Sequence, residues 1–320
     1  MSILITGVCG FIGSNLAKKF LQSDVKVIGV DNLSRGSLSN TLSFNEHLNF
    51  HFIETDICDY EMFSKRVSTL HEIHPITEVW HLAANSDIPA GITNPQVDLS
   101  DTFMTTFNTL KLMRELEIKI ISFASTSAVY GNLGDRKLVE DVGPLFPISN
   151  YGAMKLASEA LITATVESYL DTAFIYRFPN VIGMPATHGV IFDFIHKLLD
   201  TPENLNVLGN GTQKKTYLHV DELIDAMIFI RNRSFERINY YNIGANDEGV
   251  SVKFIAEEVV RLFSPKATIT YGEGNIGWVG DVPKFTYSVD KLLNLGWKPR
   301  LNSTQSLQKA ISQIVENYIV

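Results

Sequence analysis

The sequence predicts an α/β protein, a doubly wound parallel sheet followed by a smaller, mixed α/β C-terminal part. Three observations carry that prediction. Strand-like apolar runs alternate with helix-like runs along the first half of the chain. The first strand passes through a glycine-spaced turn directly into an amphipathic helix. Residues able to bond a ligand recur where successive strands end, and sheets of this kind bind their ligands at the carboxyl ends of the strands.

The first strand is Ser2-Ile3-Leu4-Ile5-Thr6, and its apolar centre suits burial on both faces. Gly7, Gly10 and Gly13 follow, and the helix runs from about Phe11 to Leu21. Glycine lets a backbone turn tightly and approach a pyrophosphate, and a helix N-terminus offers free amides with a partial positive charge. The spacing, Gly-x-x-Gly-x-x-Gly, is one residue wider at its start than the commoner dinucleotide fingerprint. The second strand, Val25 to Val30, ends at Asp31. A carboxylate there can accept both hydroxyls of an adenosine ribose and repels a 2′-phosphate, which favours NAD over NADP. Arg35 lies near enough in sequence to soften that preference.

Asn49 to Ile53 reads as the third strand and leads to Asp56-Ile57. Asp59 to Leu70 reads as a helix, and Glu78 to Leu82 as a strand delivering the small residues Ala83-Ala84, which let the chain pass beneath a cofactor. Pro95 to Leu116 suits one long helix. Lys119 to Ala124 is the next strand and delivers Ser125-Thr126-Ser127, where a hydroxyl can bond a substrate oxygen. Gly131 to Asn150, with Pro144 and Pro147, reads as a long loop. A helix from Asn150 to Tyr169 then sets Tyr151 and Lys155 four residues apart on one face. A phenol titrates near pH ~10 and is a poor base at neutrality, but a neighbouring ammonium favours the phenolate.

Thr172 to Phe178 is a further strand, and Tyr240 to Gly244 returns to the main sheet. The rest reads as a helix from about His188 to Leu199, a strand and turn at Leu205 to Gly211, a helix Glu222 to Arg231, an amphipathic helix Val252 to Phe263 and a closing helix Ser303 to Tyr318. The expected division is a cofactor-binding domain over 1–180, with returning segments at about 216–262, and a substrate-binding cap made mainly of 181–320 and interleaved with it.

Composition sets the outer bounds. At 320 residues the chain can bury a full core. A net charge of −8 and no basic cluster argue against a nucleic-acid surface. Two cysteines, Cys9 and Cys58, are too few for a disulfide framework and point to a reducing, cytoplasmic setting. No apolar run approaches the ~20 residues that span a bilayer, and a strand at the very start leaves no room for a signal peptide. No metal-ligand spacing stands out, so no metal is expected.

Taken in order, Thr6-Gly7-x-x-Gly10-x-x-Gly13, Asp31-Asn32-Leu33-Ser34, His81-Leu82-Ala83-Ala84, Ser125-Thr126-Ser127 and Tyr151-x-x-x-Lys155 resemble the extended short-chain dehydrogenase/reductases that act on nucleotide sugars. Within them the resemblance is closest to the UDP-glucose (UDP-galactose) 4-epimerase branch, and it covers essentially the whole chain. It implies a Rossmann-type NAD-binding sheet in which Gly7, Gly10, Phe11, Ile12, Gly13, Asp31, Asn32, Ser34, Asp56, Ile57, Leu82, Ala83, Ala84, Ser125, Tyr151, Lys155 and Phe178 meet the cofactor. It implies Tyr151 as the base that takes the sugar hydroxyl proton, Lys155 as the group that bonds the nicotinamide ribose and holds down the Tyr151 pKa, and Thr126 as a bond to the same sugar oxygen. It implies Thr126, Asn180, Val190, Lys215 and Trp278 as substrate contacts and a homodimer paired through its long helices.

Departures from the family pattern narrow the chemistry. The family's 4,6-dehydratases follow the catalytic threonine with an Asp-Glu pair, and its decarboxylases keep a glutamate at the second position, whereas this chain has Ser127 and Ala128. Lys215 stands at the usual arginine position, and Trp278 where a second diphosphate-binding arginine is expected. Exchanging arginine for lysine loses the bidentate fork. The expected activity is therefore NAD-dependent epimerisation of a nucleotide sugar by transient oxidation and re-reduction. A net 4-reductase using NAD(P)H or a dehydratase-like enzyme is the alternative, and a catalytically silent NAD-binding regulator is the reading from another class.

Overall fold

A computed structural model of the chain describes residues 1–134, 136–274 and 286–319. The chain divides into two compact units, one of Met1–Asn132, Val142–Arg177 and Met227–Tyr241, the other of Leu133–Asp141, Phe178–Ala226 and Asn242–Val320.

The first unit is organised around a seven-stranded sheet. Its strands are β1 (Ser2–Thr6), β2 (Lys26–Asp31), β3 (Phe50–Glu54), β4 (Ile76–His81), β5 (Ile120–Thr126), β6 (Thr172–Phe178) and β7 (Ile238–Asn242). They lie in the order β7-β6-β5-β4-β1-β2-β3. β1 pairs parallel with β2 and with β4, β2 with β3, and β4 with β5. The chain thus builds outward from β1 on one side, crosses back, and builds outward on the other. The crevice outside the carboxyl ends of β1 and β4 is the topological switch point, where open sheets of this type bind ligands.

Successive side chains of a strand point to opposite faces, so a sheet covered on both faces needs apolar residues at every position. On β6, Ala173 and Ile175 join one cluster with Leu4, Ile28, Phe63, Val79, Leu112 and Ile162. On the other face Phe174 stacks on Tyr176 and Tyr176 on Trp80, which also meets Phe20 edge-on at 5.2 Å. A fully buried side chain of this size contributes roughly 1.5–3 kcal/mol through burial. Glu78 is buried on the aromatic face because its carboxylate is shared by Trp80 Nε1 at 2.8 Å and Arg231 Nη2 at 2.6 Å.

Two stretches differ from the sequence expectation. The run Pro95 to Leu116 is not one regular helix but a short helix Pro95–Asp98, a π-helical turn Leu99–Met104 and a helix Thr105–Glu115, preceded by a helix Ile88–Thr93 that the sequence reading did not include. Asn94 restarts the helix by accepting the Gln96 amide. Thr105, Thr106 and Thr109 each donate a hydroxyl to the carbonyl four residues earlier, competing with the backbone ladder. The expected loop Gly131 to Asn150 contains a two-residue strand, Lys137–Leu138, paired parallel with Thr286–Tyr287.

In the second unit, helices Val190–Asp200, Val252–Phe263 and Ser303–Ile319 bury Ile191, Phe194, Ile255, Val259, Leu307 and Ile311 in one core with Leu205 and Val207. Among the described residues three further two-stranded pairs accompany them, beside the pair Lys137–Leu138 with Thr286–Tyr287. Asn204–Val207 runs parallel with Thr268–Tyr271, Asn180–Ile182 parallel with Tyr217–His219, and Lys214–Lys215 antiparallel with Val250–Ser251. Among the described residues no helix is long and apolar enough to cross a membrane.

Candidate active site

The glycine turn after β1 is built for close approach. Gly7 has φ +72°, and a Cβ there would stand 2.8 Å from the Ala83 amide nitrogen in the loop after β4. A Cβ on Gly13 would stand 2.0 Å from the Gly7 carbonyl oxygen. The helix Phe11–Leu21 therefore sits tightly on the turn, with Gly10 at its N-cap and no side chain there to cap it. Its first amides, from Phe11 and Ile12 onward, are those a helix leaves unbonded and aims at an anion.

Asp31 ends β2 and is buried. Its Oδ2 accepts the Cys9 amide at 2.9 Å and its Oδ1 the Leu33 amide at 2.8 Å. Burial raises the carboxyl pKa, and these backbone hydrogen bonds oppose the rise. Each oxygen keeps lone-pair capacity for a ribose hydroxyl. Asn32 donates to Asp56 Oδ2 at 3.2 Å, Ser34 donates to Asn32 Oδ1 at 2.7 Å, and Ile57 is buried beside them with its carbonyl held by Asn108. Arg35 turns to Asp87, with Nη1 at 3.1 Å from Oδ2. Thr6 Oγ1 accepts the Leu82 and Ala83 amides and bonds His81 Nδ1 at 2.7 Å, fixing the Ala83-Ala84 backbone opposite Gly7. A close-packed glycine turn, an uncapped helix start and a tethered acid at the next strand end fit a dinucleotide.

The reacting groups gather on the helix Asn150–Val166 and the end of β5. Ser149 caps that helix by accepting the Gly152 amide at 3.1 Å, which starts it one residue before Tyr151. Lys155 is 2% exposed and donates to the Ala124 carbonyl at 2.7 Å. Its Nζ lies 5.9 Å from the Tyr151 ring centre and 4.7 Å from that of Phe123. Burial lowers the Lys155 pKa to about 7, against a raising influence from Glu159. The Tyr151 phenol lies deep among protein atoms, although the residue keeps partial solvent contact. Burial pushes it up to about 12, a hydrogen bond with Thr126 lowers it, and the Asp98 charge raises it. Thr126 Oγ1 also accepts the Ala128 amide at 3.1 Å, opening the turn Ser127–Tyr130.

The first unit thus brings together Gly7, Gly10, Gly13, Asp31, Ala83, Ser125, Thr126, Tyr151 and Lys155. The same unit carries Phe11, Ile12, Asn32, Ser34, Asp56, Ile57, Leu82 and Ala84, and the remaining described contacts lie in the second unit. Phe178 closes β6 and is buried, Asn180 donates to the Thr216 carbonyl at 3.2 Å, Val190 begins a helix, and Lys215 lies on a strand beside Lys214, which pairs with Glu248. Trp278 lies outside the described residues.

Two carboxylates absent from the sequence reading stand beside the reacting pair. Asp98 is buried, accepts Asn85 Nδ2 at 2.8 Å through Oδ1, and among the described residues has no hydrogen-bond partner for Oδ2. Glu159 is buried and paired with Arg177 at 2.6 Å. Glu159 stands four residues beyond Lys155, a spacing readable from sequence; Asp98 carries no such signal.

The model of the NAD dependent epimerase/dehydratase family matches residues 3–244. UDP-glucuronate 4-epimerase of Thermodesulfobacterium geofontis is 28% identical over 328 residues, covering 98% of this chain and 96% of its own. dTDP-D-glucose 4,6-dehydratase of Mus musculus is 26% identical over 326 residues, covering 99% and 89%. A crystal structure of UDP-galactose 4-epimerase superposes with a TM-score of 0.85 at 30% identity, covering 99% of each chain.

Proposed function

The chain belongs to the NAD dependent epimerase/dehydratase family, and we propose that it epimerises C4 of a UDP-activated sugar of the glucose/galactose type, through a transient keto sugar. One observation carries this reading: an intact Thr126–Tyr151–Lys155 constellation is followed directly by Ser127 and Ala128. Dehydration needs one group to protonate a departing hydroxyl and another to move the neighbouring proton. Neither a serine hydroxyl nor an alanine methyl titrates in a useful range. Oxidation and return at one carbon need only one base. Relatives named 4-epimerase support the reading, and the mouse dehydratase marks the alternative.

Bound NAD would supply reversible hydride acceptance at one sugar carbon and, oxidised, a positive charge that favours the phenolate. Tyr151 takes the proton from the hydroxyl of that carbon and gives it back on return. Thr126 bonds the same oxygen and orients it toward Tyr151. Lys155 as an ammonium lowers the cost of the phenolate. The Gly7–Gly13 turn and the helix start behind it hold the pyrophosphate, while Asp31 with Asn32, Ser34, Asp56 and Ile57 holds the adenosine. Asn180, Val190, Lys215 and Trp278 are assigned to the nucleotide sugar. At Lys215 a point charge replaces a fork, which allows a diphosphate to pivot more freely.

The same reading includes a homodimer in the cytoplasm. Leu99 and Phe107, on the helical run from Pro95 to Glu115, are 40% and 44% exposed, an apolar face for a second copy of that run. Sedimentation at micromolar concentration should give twice the chain mass.

The deciding experiment releases nucleotides from the purified protein, identifies them by mass spectrometry, and incubates the protein with UDP-glucose, UDP-GlcNAc, CDP-sugars and GDP-sugars. The expected result is co-purifying NAD and a 4-stereoisomer formed without consumption of cofactor. Formation of a 4-keto-6-deoxy product, or turnover that depends on added reduced cofactor, sinks the epimerase reading.

A further inference from the structure

Glu159 lies on the helix Asn150–Val166 four residues beyond Lys155 and eight beyond Tyr151, so the three side chains form one stripe. It is 4% exposed. Its Oε1 accepts the Ser125 hydroxyl at 2.5 Å and Arg177 Nε at 3.0 Å, and its Oε2 accepts Arg177 Nη2 at 2.6 Å. Arg177 Nη1 donates to the Tyr130 hydroxyl at 3.0 Å, and the guanidinium stands 5.1 Å from the Tyr130 ring centre.

The consequence is a three-point grip between strand and helix. Three successive residues at the end of β5 hold three residues of the stripe, Ala124 through Lys155, Ser125 through Glu159 and Thr126 through Tyr151. Tyr130, at the far end of the turn that Thr126 opens, is held by the same ion pair through Arg177. Thr126 therefore sits between two anchors that both lead to Glu159.

We propose that Glu159 is a positioning residue of the reaction: through Ser125 it fixes Thr126 against Tyr151, and as the buried anion one helical turn past Lys155 it keeps that side chain an ammonium. The inference rests on Tyr151 and Lys155 being the reacting pair. The titratable and charged groups around Lys155 are Tyr151 and Glu159 on its own helix, His81 on β4 and Arg177 on β6, with Asp98 beyond Tyr151. His81 is buried and neutral, and its electrostatic coupling to Lys155 disfavours a second positive charge. Arg177 is spent on Glu159 and Tyr130. That leaves Glu159 as the anion that favours the charged lysine.

The test replaces Glu159→Gln and Glu159→Asp in the full chain and follows two readouts. The first, which needs no substrate, is the titration of the Lys155 Cε resonance in 13C-lysine-labelled protein, assigned by its loss in Lys155→Met. The second is the pH profile of kcat on whichever nucleotide sugar the unaltered protein converts. Glu159→Gln should lower the Lys155 midpoint by a unit or more, cut kcat at least tenfold with little change in KM, and shift the alkaline limb to lower pH. Glu159→Asp should restore the midpoint in part. An unchanged midpoint with a uniformly lowered profile reduces Glu159 to a structural residue and overturns the proposal. Should Glu159→Gln fail to fold, the double variant E159Q/R177Q removes anion and cation together. Compared with Arg177→Gln alone, a lower midpoint in the double variant supports the proposal and an equal one overturns it. A lysine midpoint that responds while no nucleotide sugar is turned over supports the role of Glu159 and counts against the epimerase reading alone.

Discussion

Tyr151 and Lys155 are each poorly suited to their roles by burial alone, since the same low-dielectric surroundings push the phenol up to about 12 and the amine down to about 7. Each penalty is relieved by the other's charged form, because phenolate and ammonium stabilise one another where water is excluded. The pair is thus poised to share a proton rather than to hold two charges at rest. Tyr151→Phe removes the acid–base group while leaving the ring. It should lower kcat by about 10²–10⁴-fold while the protein still co-purifies with NAD, as read by mass spectrometry of released nucleotide. Loss of NAD together with activity would make Tyr151 a binding residue instead.

At the scale of elements, the cofactor loop is a packing solution before it is a binding site. The helix Phe11–Leu21 can start where it does only because Gly13 lets it lie on the Gly7 carbonyl. Gly13→Ala drives a methyl into backbone that cannot yield. Overpacking of this kind typically costs about 1–3 kcal/mol, and here it also displaces the amides that would face a pyrophosphate. The variant should melt earlier and purify without nucleotide, which differential scanning calorimetry and nucleotide analysis would check together. Retained NAD at full occupancy would remove the glycine turn from the binding site. The helical run from Pro95 to Glu115 makes a related point. Two threonines there have hydroxyls that serve inward, Thr102 accepting the Asn85 amide and Thr106 bonding His81, and Thr106 also donates to the Thr102 carbonyl one turn back, beside the π-helical turn Leu99–Met104.

At the scale of the molecule, His81 ties stability to pH. It is fully buried between Thr6 and Thr106, which bond its two ring nitrogens, and burial lowers its pKa to about 3. The unfolded chain gains a proton at this residue as pH falls through about 6.5 while the folded chain stays neutral until about 3. Stability is therefore full above that upper value and declines throughout the window below it, by an amount on the order of 5 kcal/mol at the acid end. Urea denaturation at pH 7 and pH 4.5 should show the decline, and His81→Gln should flatten it while lowering the stability at pH 7. An acid limb of equal slope in both proteins would remove His81 as its source.

The alternation of elements, several boundaries to the residue, and the order of the chemistry-bearing strand ends are legible in the sequence alone. These are local quantities. An apolar run, a glycine spacing and an i, i+4 pair are read within a few residues, and helices at Phe11–Leu21 and Val252–Phe263 and the strand Thr172–Phe178 come out as expected. The sequence did not reveal the strand Asn180–Ile182, whose partner lies more than thirty residues away at Tyr217–His219. Only the tertiary structure decided what the buried charges do. Glu159 reads from sequence as one more acidic residue on a helix, and Arg177 as one residue of the strand Thr172–Phe178. Folding removes both from water, and a charge without water must find a partner. Which partner it finds, here Ser125 and Arg177 around Thr126, depends on which segments the sheet brings together.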